Sequence, residues 1–212
     1  MTHSKRWLEE HEKDPYVKRA KKEGYPSRAA YKLLEIHQKY KLFKPSMNVI
    51  DLGAAPGGWS QVAKDLVGPK GVVIAIDLLP MQSMLDVIFI QGDFNEPEIF
   101  NQLEAIVAKK TLTGQVDLVI SDMAPNISGI KNVDQSRSLH LVELAWDCAQ
   151  KLLARGGTFL VKVFQGPGVD RFLINLRPYF NQVKFLKPSA SRSRSSEIYI
   201  LAGEFLGYNQ RV

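Results

Sequence analysis

Three aspartates each close an apolar run. Asp77 ends G-V-V-I-A-I-D, Asp93 follows V-I-F-I, and Asp122 follows V-D-L-V-I-S. A lysine, Lys162, lies inside another apolar run, F-L-V-K-V-F. Carboxylates at such positions accept hydrogen bonds from a ligand's hydroxyl groups. A lysine inside an apolar strand is unusual, and a desolvated one favours its neutral amine, which can act as a base. Each feature also has a plain structural reading: a strand-end aspartate caps a loop, and a strand lysine guards a sheet edge. Three acids in matched positions beside a glycine-rich loop favour a ligand site.

That loop lies in Asn48 to Ala63. Val49, Ile50 and Leu52 read as a buried strand, which breaks at Gly53, Pro56, Gly57 and Gly58 and resumes with helical character from Trp59. Strand, glycine turn and helix open a nucleotide-type site in a doubly wound α/β domain. The glycines let backbone approach a ligand, and the helix N-terminus offers unpaired N–H groups. The run G-A-A-P-G-G lacks the second glycine of a dinucleotide fingerprint, which argues against a nicotinamide or flavin cofactor. An S-adenosylmethionine site, with no pyrophosphate to pack, tolerates this pattern. Asp77 stands about 20 residues beyond the loop, where a ribose-binding carboxylate belongs.

The elements that must carry these residues follow from periodicity. Ser27 is placed to cap a helix running to Tyr40, with Lys32 beside its apolar stripe and, by default, snorkelling to solvent. Strands are expected at 71–77, 87–90, 116–120, 156–164 and 180–186, and Glu197 opens a last one. Helices are expected at 97–109, 136–154 and 170–178, with a polar loop at 127–135. If the sheet is parallel and open, Asp77, Asp93 and Asp122 all face one crevice. The fifth strand of such a sheet is interior, which weighs against an edge-guarding role for Lys162.

The chain of 212 residues suits one domain. We expect a basic extension over 1–26 and a catalytic domain over 27–212. Its opening residues lack the apolar core of a signal peptide, and no apolar run approaches membrane-span length. The single Cys148 lies at helical spacing between Leu144 and Leu152, the pattern of a buried thiol, and a reducing cytoplasm is expected. The four histidines show no metal-ligand spacing, so no metal site is expected. The net charge of +6 resides wholly in residues 1–44; residues 45–212 balance to zero. With the acid-free stretch K-P-S-A-S-R-S-R-S-S, this favours phosphate contacts, for which Lys5, Arg6, Arg28, Arg192 and Arg194 are candidates.

Five stretches together carry a family resemblance: S-R-A-A-Y-K-L, D-L-G-A-A-P-G-G-W-S-Q, S-D-M-A-P-N-I-S-G, F-L-V-K-V-F-Q-G and S-R-S-R-S-S-E-I-Y. They resemble the FtsJ/RrmJ family of ribosomal RNA large-subunit 2′-O-methyltransferases, over nearly the whole chain. The resemblance implies a Rossmann-like methyltransferase fold: a seven-stranded, mostly parallel sheet with an antiparallel last strand and helices on both faces. It implies S-adenosylmethionine as methyl donor and a uridine ribose of large-subunit RNA as acceptor, within the ribosomal particle. It places a catalytic tetrad on Lys32, Asp122, Lys162 and Glu197, and donor contacts on Gly53, Pro56, Gly57, Trp59, Asp77, Asp93 and Asp122. A monomer with no obligatory protein partner is expected. Transfer to tRNA or an mRNA cap uses the same four side chains. A non-catalytic RNA-binding assembly factor would be expected to have lost them.

Overall fold

The structure is a computed structural model that describes residues 13–192 and 195–207. The candidate phosphate contacts Lys5, Arg6 and Arg194 lie outside the described residues. Helix α1 spans Pro15–Glu23, capped by the Asp14 carboxylate on the Tyr16 N–H, with proline at its first position and Gly24 closing it in the left-handed conformation. Helix α2 is Ala30–Tyr40, strand β1 Asn48–Leu52, helix α3 Gly58–Val67, β2 Val72–Asp77 and β3 Val87–Gln91. Then come α4 Pro97–Lys110, β4 Val116–Ser121, α5 Lys131–Leu152, β5 Leu153–Phe164, α6 Val169–Leu176, a 3-10 turn Arg177–Tyr179, β6 Phe180–Leu186 and β7 Glu197–Phe205.

The seven strands form one sheet in the order β3-β2-β1-β4-β5-β7-β6. The β1–β2, β1–β4, β2–β3 and β4–β5 pairs are parallel. β7 is antiparallel to both β5 and β6, so it alone is reversed. The chain winds outward in opposite directions from β1 and β4, which makes their C-terminal ends the switch point where ligands bind in open α/β sheets. β1, β2 and β4 are almost wholly buried, as strands covered on both faces must be.

Apolar residues of α2 and α3 cover one face, with Leu33, Ile36, Trp59 and Val62 packed on Leu118, Leu160, Tyr199 and Leu201. Helices α4, α5 and α6 cover the other, where Trp146 meets Phe159, Phe180 and Phe205 at ring separations of 5.8, 5.5 and 6.0 Å. α1 docks on α2 through Ala20 and Tyr31, and Ala190 of the loop between β6 and β7 joins the same cluster. Among the described residues no helix is long and apolar enough to cross a membrane.

Three local expectations are corrected. Ser27 does not cap α2: Ala29 occupies the cap position, the Ala30 N–H donates to the Ser27 carbonyl, and the Ser27 hydroxyl is buried without a partner. That hydroxyl crowds Gly58, where an added Cβ would lie 2.6 Å from it. The polar segment 131–135 is helical rather than loop. Asp134 accepts from the Ser128 N–H at 2.8 Å and the Gly129 N–H at 3.0 Å, and Gln135 donates to the Phe164 carbonyl at 2.8 Å. These two polar residues are buried by hydrogen bonds, which apolar periodicity does not register. Finally, β5 begins at Leu153: Val116 pairs with Leu153 and Leu118 with Thr158, so an irregularity within 154–157, which includes Gly156 and Gly157, absorbs three extra residues.

Candidate active site

Side chains from four elements meet where the C-terminal ends of β4 and β5 face the start of β7. Across the antiparallel β5–β7 ladder, Lys162 pairs with Tyr199 and Phe164 with Glu197. Directly opposite residues share a face, and alternate residues along a strand do too. Lys162, Tyr199 and Glu197 therefore all project to the face covered by α2, whose first turn contributes Lys32. Asp122 is the first residue past β4.

The four charges form a closed, electrically neutral cluster. Lys162 Nζ is 3.1 Å from Asp122 Oδ1, and Lys32 Nζ is 2.7 Å from Glu197 Oε1. The two crossed separations, Lys32 to Asp122 and Lys162 to Glu197, are each 4.0 Å. Lys162 also donates to the Asp122 carbonyl at 2.5 Å. Lys162 pairs chiefly with Asp122 and Lys32 with Glu197. Side-chain exposures of only 7–16% mean that water cannot replace either partner; removing one would strand a buried charge. Burial raises the Asp122 carboxyl, but the charges of Lys162 and Lys32 and the Tyr199 hydrogen bond outweigh it, holding the carboxyl below its ordinary range.

Tyr199 is absent from the sequence-derived site. It is fully buried, and its hydroxyl lies 2.7 Å from Asp122 Oδ1 and 3.3 Å from Glu197 Oε1. Burial and the two carboxylates push its own ionisation well above the usual phenol range, so it stays a neutral donor. Its ring packs 5.7 Å from Trp59 and lies under Lys32 Nζ at 5.9 Å. The available signal was its place two residues after Glu197 in a strand, which puts both on one face. Ser191 was also missed; its hydroxyl donates to Glu197 Oε1 at 2.9 Å.

The loop carrying Ser191 is fastened to α2. Glu35, one turn beyond Lys32, accepts from the Ser189 N–H at 2.6 Å, the Ala190 N–H at 3.1 Å and the Tyr16 hydroxyl at 3.2 Å. Arg28 donates to the Asp14 carboxylate and the Ala190 carbonyl. Arg28 is thus an internal tie between α1 and this loop, and its expected role as a phosphate contact is corrected. Arg192 remains one-third exposed, 4.0 Å from Asp14.

Beside this cluster lies the glycine loop. Gly53 and Gly57 have φ of +75° and +105°, and an added Cβ would fall 2.2 Å from Met123 Cγ and 2.1 Å from Met84 Cε. A side chain meets backbone strain at both positions; at Gly53 it also collides with Met123, whereas at Gly57 only the flexible ends of Met84 and Met81 stand in its way. α3 starts at Gly58 with no side-chain cap, so its first N–H groups remain available. Trp59 is 3% exposed, and its indole N–H donates to the Ala29 carbonyl at 2.8 Å, fixing the start of α2. The Asp77 carboxylate accepts from the Ala55 and Leu79 N–H groups, both at 2.8 Å, and Asp93 from the Asn95 N–H at 2.9 Å. Pro56 follows a cis peptide bond and is exposed. An uncapped helix start, two glycines in the left-handed conformation, one of them without room for a side chain, and two strand-end carboxylates together form a cradle. It fits a nucleoside-linked donor with hydroxyls at one end and a carboxylate at the other.

Comparison with known proteins decides the family. A model of FtsJ-like methyltransferases matches residues 25–205. The chain belongs to the FtsJ-like methyltransferase family. Among curated FtsJ-like relatives, the chain is 56% identical over 198 residues to ribosomal RNA large subunit methyltransferase E of Acinetobacter baumannii, covering 93% of this chain and 90% of the relative. The Acinetobacter baylyi protein of that name is similar to the same extent. A crystal structure of a Plasmodium falciparum ribosomal RNA methyltransferase superposes with a TM-score of 0.74 at 31% identity, covering 87% of this chain and 100% of that one. The expected fold is borne out in full: seven strands, the last reversed, helices on both faces. Cys148 is buried, and burial pushes its thiol up to about 12, as befits a packing residue rather than a nucleophile.

Proposed function

We propose that this methyltransferase transfers a methyl group from S-adenosylmethionine to a ribose 2′-hydroxyl of large-subunit ribosomal RNA. The observation that carries this reading is the pairing of Lys162 with Asp122 and Lys32 with Glu197 beside the glycine loop. The relatives named as ribosomal RNA methyltransferases support the substrate class.

A ribose hydroxyl is a poor nucleophile until its proton leaves, so the protein's task is positioning plus a base. For this step Lys162 first releases its own ammonium proton, and as the neutral amine it then accepts the hydroxyl proton. Asp122 orients the Lys162 amine through the 3.1 Å contact. Lys32 offers a second cation to the developing oxyanion, and Glu197 holds Lys32 in place at 2.7 Å. Tyr199 fixes both carboxylates from below. S-adenosylmethionine, when bound, supplies an electrophilic methyl on a sulfonium. Asp77 takes its ribose hydroxyls, Asp93 lies at the neighbouring strand end, Gly53 and Pro56 shape the turn, and the main chain of Gly57 and Trp59 takes its charged end. We place the enzyme in the cytoplasm, acting as a monomer on the ribosomal particle.

The deciding experiment is transfer of labelled methyl to large subunits from cells lacking this activity, with protein-free rRNA, tRNA and capped mRNA alongside and Lys162→Ala as control. Label at one alkali-resistant ribose of large-subunit RNA, absent with Lys162→Ala, is expected. Label confined to tRNA or cap would overturn the substrate. Donor binding without any transfer would overturn catalysis and favour an assembly factor.

A further inference from the structure

A positively charged feature lies away from the reaction centre. A groove of about 710 Å³ opens where the C-terminal end of α2 and the loop after it face the start of β5 and the middle of β6. Lys41, Lys44, Arg155 and Lys184 line it. A smaller depression of about 200 Å³, lined by Lys39 and Lys187, adjoins it, and Tyr40 borders both. All six cations are exposed.

The two hollows hold three acids, Asp117, Glu204 and Glu35, against six cations, so a net charge of +3 remains. Asp117 accepts from the Asn48 N–H at 2.7 Å, and Glu204 from Asn181 and Gln182 at 3.1 and 2.9 Å. Glu35 is taken by the 189–190 backbone. Among the described residues none of these carboxylates forms an ion pair with the six cations. Lys39 and Lys184, from a helix end and a sheet edge, both bring their ammonium to the Tyr40 ring, at 5.3 and 5.7 Å. Helix-end lysines are favoured by the helix dipole, which accounts for Lys39 and Lys41. It does not account for Lys44, Arg155 or Lys184, which belong to other elements.

The cations also form a track. β6 is parallel to β5, so Lys187, just past β6, lies at the catalytic edge, where its ammonium donates to the Ser195 carbonyl at 2.8 Å. Lys184 lies midway, and Arg155 and Lys44 lie at the opposite edge. Measured along the regular neighbouring strand, from Val116, which pairs with Leu153, to Asp122, the distance between the two edges is roughly 20 Å at ~3.3 Å per residue, room for several nucleotides of backbone.

We propose that this groove binds phosphodiester backbone of the RNA substrate, a segment remote from the methylated ribose. The inference rests on the reading of RNA as substrate. Its chemistry is that of backbone contact without base readout: dispersed cations and one aromatic face. RNA fits better than an acidic protein because the track leads from the edge where the reacting ribose sits.

The test compares K41Q/K44Q/K184Q with K70Q/K109Q/K110Q, which removes the same charge from exposed sites elsewhere. None of these residues belongs to the catalytic or donor site. Protein-free large-subunit RNA is titrated against each full-length protein over a range of salt, with donor affinity and methyl-transfer kinetics measured in parallel. The groove variant should bind RNA ~10–100-fold more weakly near 0.15 M salt and lose about two to three from the salt slope. Its donor affinity and kcat should stay within about twofold of wild type. Equal affinity and slope for both variants would overturn the proposal. So would a KM rise seen only with intact particles and not in protein-free RNA binding, which would assign the groove to a ribosomal protein. Should wild type methylate no RNA at all, the substrate reading fails, while the binding titration still decides the groove.

Discussion

Lys162 and Tyr199 stand directly opposite one another across the β5–β7 ladder, and both reach the same carboxylate oxygen, Asp122 Oδ1, at 3.1 and 2.7 Å. That oxygen is thereby fixed from two strands at once. The lysine bears the charge and the phenol the second hydrogen bond.

Tyr199→Phe keeps the ring against Trp59 but removes the donor to Asp122 and Glu197. Hydrogen bonds to charged groups contribute about 1.5–3 kcal/mol. We expect a stability loss of that order in urea denaturation, with donor affinity unchanged and turnover reduced less than in any Lys162 variant. Wild-type stability in Tyr199→Phe would show that the two carboxylates need no common anchor.

Lys162→Arg keeps a cation beside Asp122 but cannot supply a neutral amine. If Lys162 is the base, turnover should fall by about 10²–10⁴ while the fold and donor binding persist. If Lys162 serves only as a fixed positive charge, Lys162→Arg will retain much of the activity. Single-turnover methyl transfer distinguishes the two.

Asp51 gives a pH signature. Its carboxylate is fully buried on β1 and accepts from the Ser60 hydroxyl at 2.6 Å, while its other oxygen has no partner. Burial pushes its carboxyl up to about 7; the Ser60 hydrogen bond opposes this, and the charges of Asp122 and Asp77 add to it. In the unfolded chain it titrates near ~3.9. The folded state therefore holds the proton more tightly. The stabilisation is fully present below about pH 4 and is lost as pH rises through about 7, at on the order of 1 kcal/mol per pH unit. Asp51→Asn removes this dependence. The stability difference between wild type and Asp51→Asn should shift in favour of the variant from pH 5 to 8; parallel denaturation curves would refute the assignment.

Glu35→Gln tests the fastening of the loop that carries Ser191. The carboxylate accepts two consecutive backbone N–H groups and the Tyr16 hydroxyl, and an amide replaces one acceptor oxygen by a donor. Amide exchange at Ser189 and Ala190 should quicken about tenfold or more, corresponding to ~1.4 kcal/mol, while exchange in β1 and β4 stays unchanged. Uniform acceleration across the protein would instead indicate global destabilisation.

Much of this protein is determined along the chain itself. The apolar runs that become β1, β2, β3, β4 and β6, the glycine break at 53–58, and the acids closing β2, β3 and β4 all follow from local patterns with periods of two and 3.6 residues. The full donor set and the four charged side chains come instead from the family resemblance carried by five separated motifs, not from periodicity. Tertiary structure alone decides which partners meet. Lys162 pairs with Asp122, and Lys32 with Glu197, because β7 inserts between β5 and β6 and α2 lies over that seam. Tyr199, Ser191 and Glu35 gain their roles in the same way, through contacts between segments far apart in sequence. Arg28 becomes a tie and residues 131–135 a helix through hydrogen bonds to buried polar groups, which leave no trace in hydrophobic periodicity. Periodicity reports how each segment meets an average core; it carries no information on which distant segment supplies the partner.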